Sequence, residues 1–130
     1  MADLTEAHVE QLRRKVFGAV ATLKQDGTPQ TSIVWLDTDG ENVLFNTRNE
    51  RAKAKHLRRD PRVTVAVFDP ERVYDYFEVE GTAELITEGA DEHIQELSRK
   101  YTGKDFHTPS GRVIVRIHPR RVFDYSSPAR

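Results

Sequence analysis

The sequence predicts a mainly β protein: a barrel of six or seven strands with three short helices plugging its gaps. Three observations predict it. Short runs rich in β-branched and aromatic residues recur along the chain. Several of them alternate in period two, as a half-buried strand does. Asp-Gly and Pro turn signals separate the first of them at hairpin spacing.

The elements follow in order. Val9, Leu12 and Val16 lie at i, i+3 and i+7, one apolar stripe on a helix from about residue 4 to 15. Asp3 is its expected N-cap, with Glu6 three residues on as in a capping box. The run FGAVATL (17–23) reads as a strand, QDGTP (25–29) as a turn and QTSIVWLD (30–37) as a second strand. TDGE (38–41) is a further Asp-Gly turn, and NVLFNT (42–47) a third strand. Three strands joined by two tight turns predict an antiparallel meander. Residues 50–59 are rich in Ala, Lys, Leu and Arg, good helix formers. Asp60-Pro61 should end that helix, because the residue before proline is pushed out of the α region.

RVTVAVFD (62–69) alternates as a fourth strand, and YDYFEVEGTAELI (74–86) is a long fifth, with Gly81 expected at a bulge or bend. Residues 89–103 form a helix with Ile94, Leu97 and Tyr101 on one face and Gly103 past its end. RVIVRIHP (112–119) alternates again, and RRVFDY (120–125) extends it or forms a short last strand. SSPAR (126–130) should fray.

At 130 residues the chain suits one domain spanning 1–130. Lys+Arg 20 against Asp+Glu 21 argues against a globally basic nucleic-acid binder. The absence of cysteine excludes a disulfide framework, a thiolate zinc site and a cysteine nucleophile. No apolar run reaches the roughly 18–20 residues of a membrane span, and the N-terminus lacks a signal-peptide core. The expectation is a globular cytoplasmic protein bound to neither membrane nor nucleic acid. GxGxxG, GxxxxGK[ST], HExxH and GxSxG are all missing. His8, His56, His93, His107 and His118 offer no pair at i,i+3 or i,i+4, so no metal site is expected.

The most unusual stretch is NTRNERAKAKHLRRDPR (46–62), in which eight of 17 residues are Arg, Lys or His. A solvated helix face accounts for Lys55, Arg58, Arg59 and Arg62. A nucleic-acid patch would want interleaved aromatics, and residues 48–62 have none. A phosphate site is the third reading: a strand ends near Thr47, a helix begins near Glu50, and helix starts offer free N–H groups.

GAVATLKQDGTPQTSIVW, LFNT, RAKAKHLRRDPRV and YFEVEGTAEL together resemble the pyridoxamine 5′-phosphate oxidase-like split barrels. The chain looks most like the short type that uses the deazaflavin coenzyme F-420. The resemblance runs from about Phe17 to Val122. It implies a six-stranded split β-barrel (the FMN-binding split barrel) paired as a homodimer, with cofactor sites at the interface. It implies that Arg51 and Lys53 hold the cofactor phosphate. It places the strand Gln30 to Val34, including Ile33, along the ring system, and Asn46 near the cofactor. His56 joins the candidate cofactor contacts, and the partner chain would close the site with Tyr74 and Tyr76. The implied activity is an oxidoreductase that moves a hydride between F-420 and a small conjugated substrate, with no side-chain nucleophile. The alternatives are an FMN-binding oxidoreductase and a non-catalytic flavin-binding barrel. The chain as given lacks the N-terminal extension and C-terminal arginine-bearing segment of the true oxidases, so oxidation of pyridoxamine phosphate is not expected.

One constraint is geometric. Two residues apart on a helix are about 200° apart. Arg51 and Lys53 can share a phosphate only if Arg51 lies at or before the first turn, so the helix should start a residue or two after Glu50.

Overall fold

The computed structural model describes residues 2–107 and 109–125. Seven strands and three helices follow in the order α1 (Glu6–Leu12), β1 (Phe17–Leu23), β2 (Pro29–Trp35), β3 (Asp37–Thr38), β4 (Val43–Arg48), α2 (Ala52–Arg59), β5 (Arg62–Phe68), β6 (Phe77–Ile86), α3 (Ala90–Thr102) and β7 (Arg112–Asp124). The strands make one antiparallel sheet in the order β2-β1-β5-β6-β7-β4-β3. The expected mainly β barrel is thus found as a curled half-barrel. Its interior is filled by alternate residues, among them Val20, Val65, Val67, Val79, Val115 and Ile117, all at most 1% exposed or fully buried. Period-two alternation turns every second side chain of each strand inward, and burying these branched side chains is the main favourable term.

The meander is a correction. β1 and β2 pair as expected, Phe17 opposite Trp35 through Leu23 opposite Pro29. β4 pairs not with β2 but with β7, 43 opposite 117 and 48 opposite 112. The expected second strand stops at Trp35, and Asp37–Thr38 turns the corner to pair with β4. Leu36 breaks the ladder because α3 claims its backbone. Its N–H donates to the Tyr101 hydroxyl (3.0 Å), and its carbonyl accepts from Lys100 Nζ (2.9 Å). The corner therefore carries the chain from one end of the sheet order to the other. It also supplies the strand beyond the implied six.

Other boundaries move for local reasons. Thr5, not Asp3, caps α1: its hydroxyl accepts from His8 N–H, and His8 Nδ1 accepts from Thr5 N–H, so His8 rather than Glu6 closes the capping box. α1 ends at Leu12, whose carbonyl accepts from Lys100 Nζ. β6 begins at Phe77 rather than at residue 74, because Asp69 and the Arg72–Asp75 ion pair (2.8 Å) fold residues 69–75 into turns. The ladder shifts register at Glu80/Gly81, the bulge expected there. A Cβ on Gly81 would sit 2.4 Å from the His118 carbonyl oxygen, so the close approach requires glycine. α3 ends on Gly103 at φ 75°, the left-handed cap that glycine adopts freely. Residues 112–124 form one continuous strand, and SSPAR lies outside the described residues.

α2 packs on β1 and β6 and buries Ala54 and Leu57. α3 lies across β4 and β7 on the outer face, where Ile94 and Leu97 are buried. The space left between the start of α2, the side of α3 and strand β2 holds the site.

Candidate functional site

A cavity of about 350 Å³ opens there. One wall is apolar: Phe17, Ile33, Val34 and Trp35 from β1 and β2, with Ile94 and Leu97 from α3 and Phe106 from the loop after it. Trp35 is held by parallel stacking on Tyr101, with centroids 5.2 Å apart and planes 5° apart. Phe106 is held by Gln95, whose Oε1 accepts from its N–H at 2.8 Å. Four cations line the same cavity: Arg48, Arg51, Lys53 and Arg112.

Each cation has a structural reason to be there. Arg51 is the N-cap of α2, with extended backbone (φ −68°, ψ 154°), and no side chain caps the helix. Its position off the helix lets it and Lys53 line the same cavity, as the angular argument required. Arg48 and Arg112 stand directly opposite one another in the β4–β7 ladder. Like charges so placed destabilise a sheet. Arg48 is partly balanced by Glu50 at 2.8 Å. Lys53 is lowered from its ordinary range, first by burial and then by Arg51 and Arg112. Burial, Arg48 and Arg51 likewise lower Arg112, against the smaller pull of Asp91 and Glu50. Half-buried Lys53 and Arg112, each lowered by burial and by neighbouring cations, make a site an anion would relieve.

Asn46 is buried at the base of this cluster, at 8% exposed. Its Nδ2 donates to the Ala90 carbonyl (2.9 Å) and faces His93 Nδ1 (3.1 Å), while its Oδ1 accepts from Arg112 Nε (2.8 Å). His93 Nε2 in turn lies 3.0 Å from Asp37 Oδ2. Burial alone would raise the Asp37 carboxyl, but the hydrogen bond from His93, the Thr38 N–H and nearby Lys100 leave it lowered on balance.

Of the residues expected at the site, the fold brings Ile33, Val34, Asn46, Arg51 and Lys53 into this one cavity. Gln30, His56, Tyr74 and Tyr76 do not line it in the single chain. Gln30 is exposed at the far end of β2. His56 turns to β1, where Nδ1 meets the buried Thr22 hydroxyl at 3.0 Å. Burial, then Arg59 and Lys24, lower its pKa. Tyr76 stacks on Tyr125 at 4.6 Å, and Tyr74 is 57% exposed. The rest of the basic cluster also turns away. Arg58 donates to the Asn49 carbonyl (3.1 Å), Arg59 to the Leu23 carbonyl (2.6 Å), and Arg62 grips Asp60 through two nitrogens, holding that carboxyl down at about 2. Lys55 is exposed.

Sequence reasoning missed Arg48, Arg112, Trp35 and Phe106. Arg48 had a signal, since it lies two residues beyond Asn46 and so shares its face of β4. Arg112 had none, because only the β4–β7 register places it there. Among the described residues no group of three or more His, Cys, Asp or Glu gathers to hold a metal ion, and no helix is long and apolar enough to cross a membrane.

A curled antiparallel half-barrel with three short helices is the architecture of a split barrel. A family model described as pyridoxamine 5′-phosphate oxidase matches residues 4–126, and the chain belongs to that family of split-barrel oxidoreductases. Among solved structures it is similar to an F420 reductase, at 29% identity and a TM-score of 0.80 over 92% of this chain and 98% of that one. A conserved hypothetical protein from Mycobacterium tuberculosis matches at 28% identity and a TM-score of 0.76, over 95% of this chain and 85% of that one. A putative pyridoxamine 5′-phosphate oxidase from Listeria innocua shares the fold at 24% identity and a TM-score of 0.69, over 90% of this chain and 93% of that one.

Proposed function

We infer that this chain is an F-420-dependent oxidoreductase that transfers a hydride between the deazaflavin and a small conjugated organic substrate. The observation that carries the reading is the gathering, in one cavity, of four cations, two of them lowered by burial and by their neighbours, with aromatic and aliphatic side chains. A phosphate-bearing ring cofactor is an anion joined to a flat apolar body, and the cations suit the one part and the apolar side chains the other. When bound, the deazaflavin supplies the hydride chemistry. Arg51 and Lys53 hold its phosphate from the start of α2, where the uncapped helix end adds its own pull on an anion. Ile33, Val34 and Trp35 orient the ring and keep water from one of its sides. Similarity to the F420 reductase supports F-420. FMN is the second reading, favoured by the match to the pyridoxamine 5′-phosphate oxidase family model.

The protein acts as a homodimer in this reading. β2 ends the sheet order, and Ile33 on it is 60% exposed. A second copy covering this face would complete the ring wall and bring Tyr74 and Tyr76 towards the partner's cavity.

Parallel titrations with F-420 and FMN test the choice, followed by quenching of Trp35, the only tryptophan, and by cofactor fluorescence. The expected result is tight saturable binding of F-420. Tight FMN binding with none for F-420 transfers the assignment to FMN, and binding of neither overturns the cofactor reading.

A further inference from the structure

Partner chemistry fixes the protons of the partly buried chain Asp37–His93–Asn46–Arg112. The Ala90 carbonyl only accepts, so Asn46 must present Nδ2 to it. Arg112 Nε–H only donates, so Asn46 must present Oδ1 there. The second Nδ2 hydrogen then faces His93 Nδ1, which must be a bare lone pair. The proton of the neutral ring is therefore on Nε2, donated to Asp37 Oδ2. Every link has one orientation, and the last link aims a guanidinium into the cavity.

Accordingly, we propose that Arg112 is a third anion-gripping side chain of the cavity, and that His93, acting through Asn46, is the positioning residue whose neutral Nε2–H form keeps Arg112 aimed. Two further contacts show why the aim is set in this way. The Arg112 guanidinium lies over the Phe106 ring at 5.0 Å, so its body is fixed on one side. Its backbone N–H donates to Asp91 Oδ1 at 3.1 Å, so its strand is pinned to the start of α3. The one remaining freedom is rotation about the side chain, and Asn46 Oδ1 removes it.

A second proton on His93 reverses the device. Nδ1–H would confront Asn46 Nδ2–H, two donors in contact. Rotating the amide to relieve them would turn Nδ2 on Arg112 Nε–H and its oxygen on the Ala90 carbonyl. Either way Arg112 loses its aim. The charged groups around the ring are Asp37 on β3, Lys100 on α3 beside Asp37, and Arg112 on β7, with Asp91 and Glu50 acting on Arg112. A proton on Nδ1 should therefore weaken the grip on the anion.

The proposal rests on the reading of this cavity as an anion site, and its test separates the two. Inorganic sulfate is the probe, because it keeps its charge across the neutral range. Nitrogen-15 spectra of the unaltered protein read the His93 ring and the Arg112 Nε–H directly. At pH 8 the expected spectrum has a protonated Nε2 and a bare Nδ1. When acid protonates the His93 ring, the Arg112 resonance should move with it, and sulfate affinity should fall roughly 10-fold, the loss of one charge-assisted hydrogen bond. Arg112→Gln should lower affinity at pH 8 by a similar factor. His93→Gln, which has no proton to gain, should hold the ratio of affinities at pH 8 and pH 5.5 within about twofold. A proton found on Nδ1 at pH 8, or an Arg112 resonance that ignores protonation of the His93 ring, overturns the proposal. So does wild-type sulfate affinity in Arg112→Gln. If sulfate behaves as expected while neither F-420 nor FMN binds, the cofactor assignment fails and this device stands.

Discussion

At the scale of the residue, the informative fact is how unequal the eight basic side chains of 46–62 are. Arg51 and Lys53 face the cavity, whereas Arg58 and Arg59 spend their donors on backbone carbonyls. A charge-assisted hydrogen bond to a phosphate is worth about 1.5–3 kcal/mol, so Arg51→Ala should weaken cofactor binding roughly 10- to 100-fold. Arg58→Ala should change it by less than about threefold, since its loss costs one exposed bond. Titrating both variants beside the unaltered protein checks this, and equal losses would instead favour a diffuse basic patch. The division was half legible in the sequence. Helical geometry alone requires Arg51 to precede the helix if it shares a ligand with Lys53. The role of Asn46 was not legible, because its partners Ala90, His93 and Arg112 lie 44 to 66 residues away.

At the scale of the element, local signals located strands and non-local pairing decided their neighbours. β1 spans Phe17–Leu23, the limits its composition and the following Asp-Gly turn predict. β4 was located within a residue, yet its partner is β7 rather than β2. No local pattern records that choice, which follows from the Leu36 corner and the α3 side chains that hold it. Tyr74 and Tyr76 looked like strand residues by their aromatic character, but the turns begun by Asp69 take precedence. The Gly81 bulge was foreseen, and it carries a prediction. Gly81→Ala places a methyl against the His118 carbonyl at 2.4 Å, a backbone atom that cannot swing aside. The expected cost is roughly 1–3 kcal/mol, read as a lower urea midpoint with unchanged slope. An unchanged midpoint would mean the β6–β7 ladder relaxes freely at the bulge.

At the scale of the whole molecule, the half-barrel acts as a frame that brings four cations from three separate elements to one place. They come from the end of β4, the start of α2 and the start of β7, and share the cavity with residues of β2, some on that strand's exposed face, and others. The single chain leaves Ile33 exposed on that face, and the proposed homodimer covers it. Sedimentation should therefore find a dimer at micromolar concentration. Ile33→Glu should shift it towards monomer and weaken F-420 binding together, because one surface serves both. A monomeric variant with full cofactor affinity would show that each cavity is complete in one chain.

The central claim is that this cavity takes the phosphate and ring of a flavin-type cofactor. A crystal structure of the protein with F-420 tests it most directly. The phosphate is expected among Arg51, Lys53 and Arg112, with the ring along Ile33, Val34 and Trp35. A phosphate bound elsewhere, with Arg51 and Lys53 still facing solvent, would contradict it.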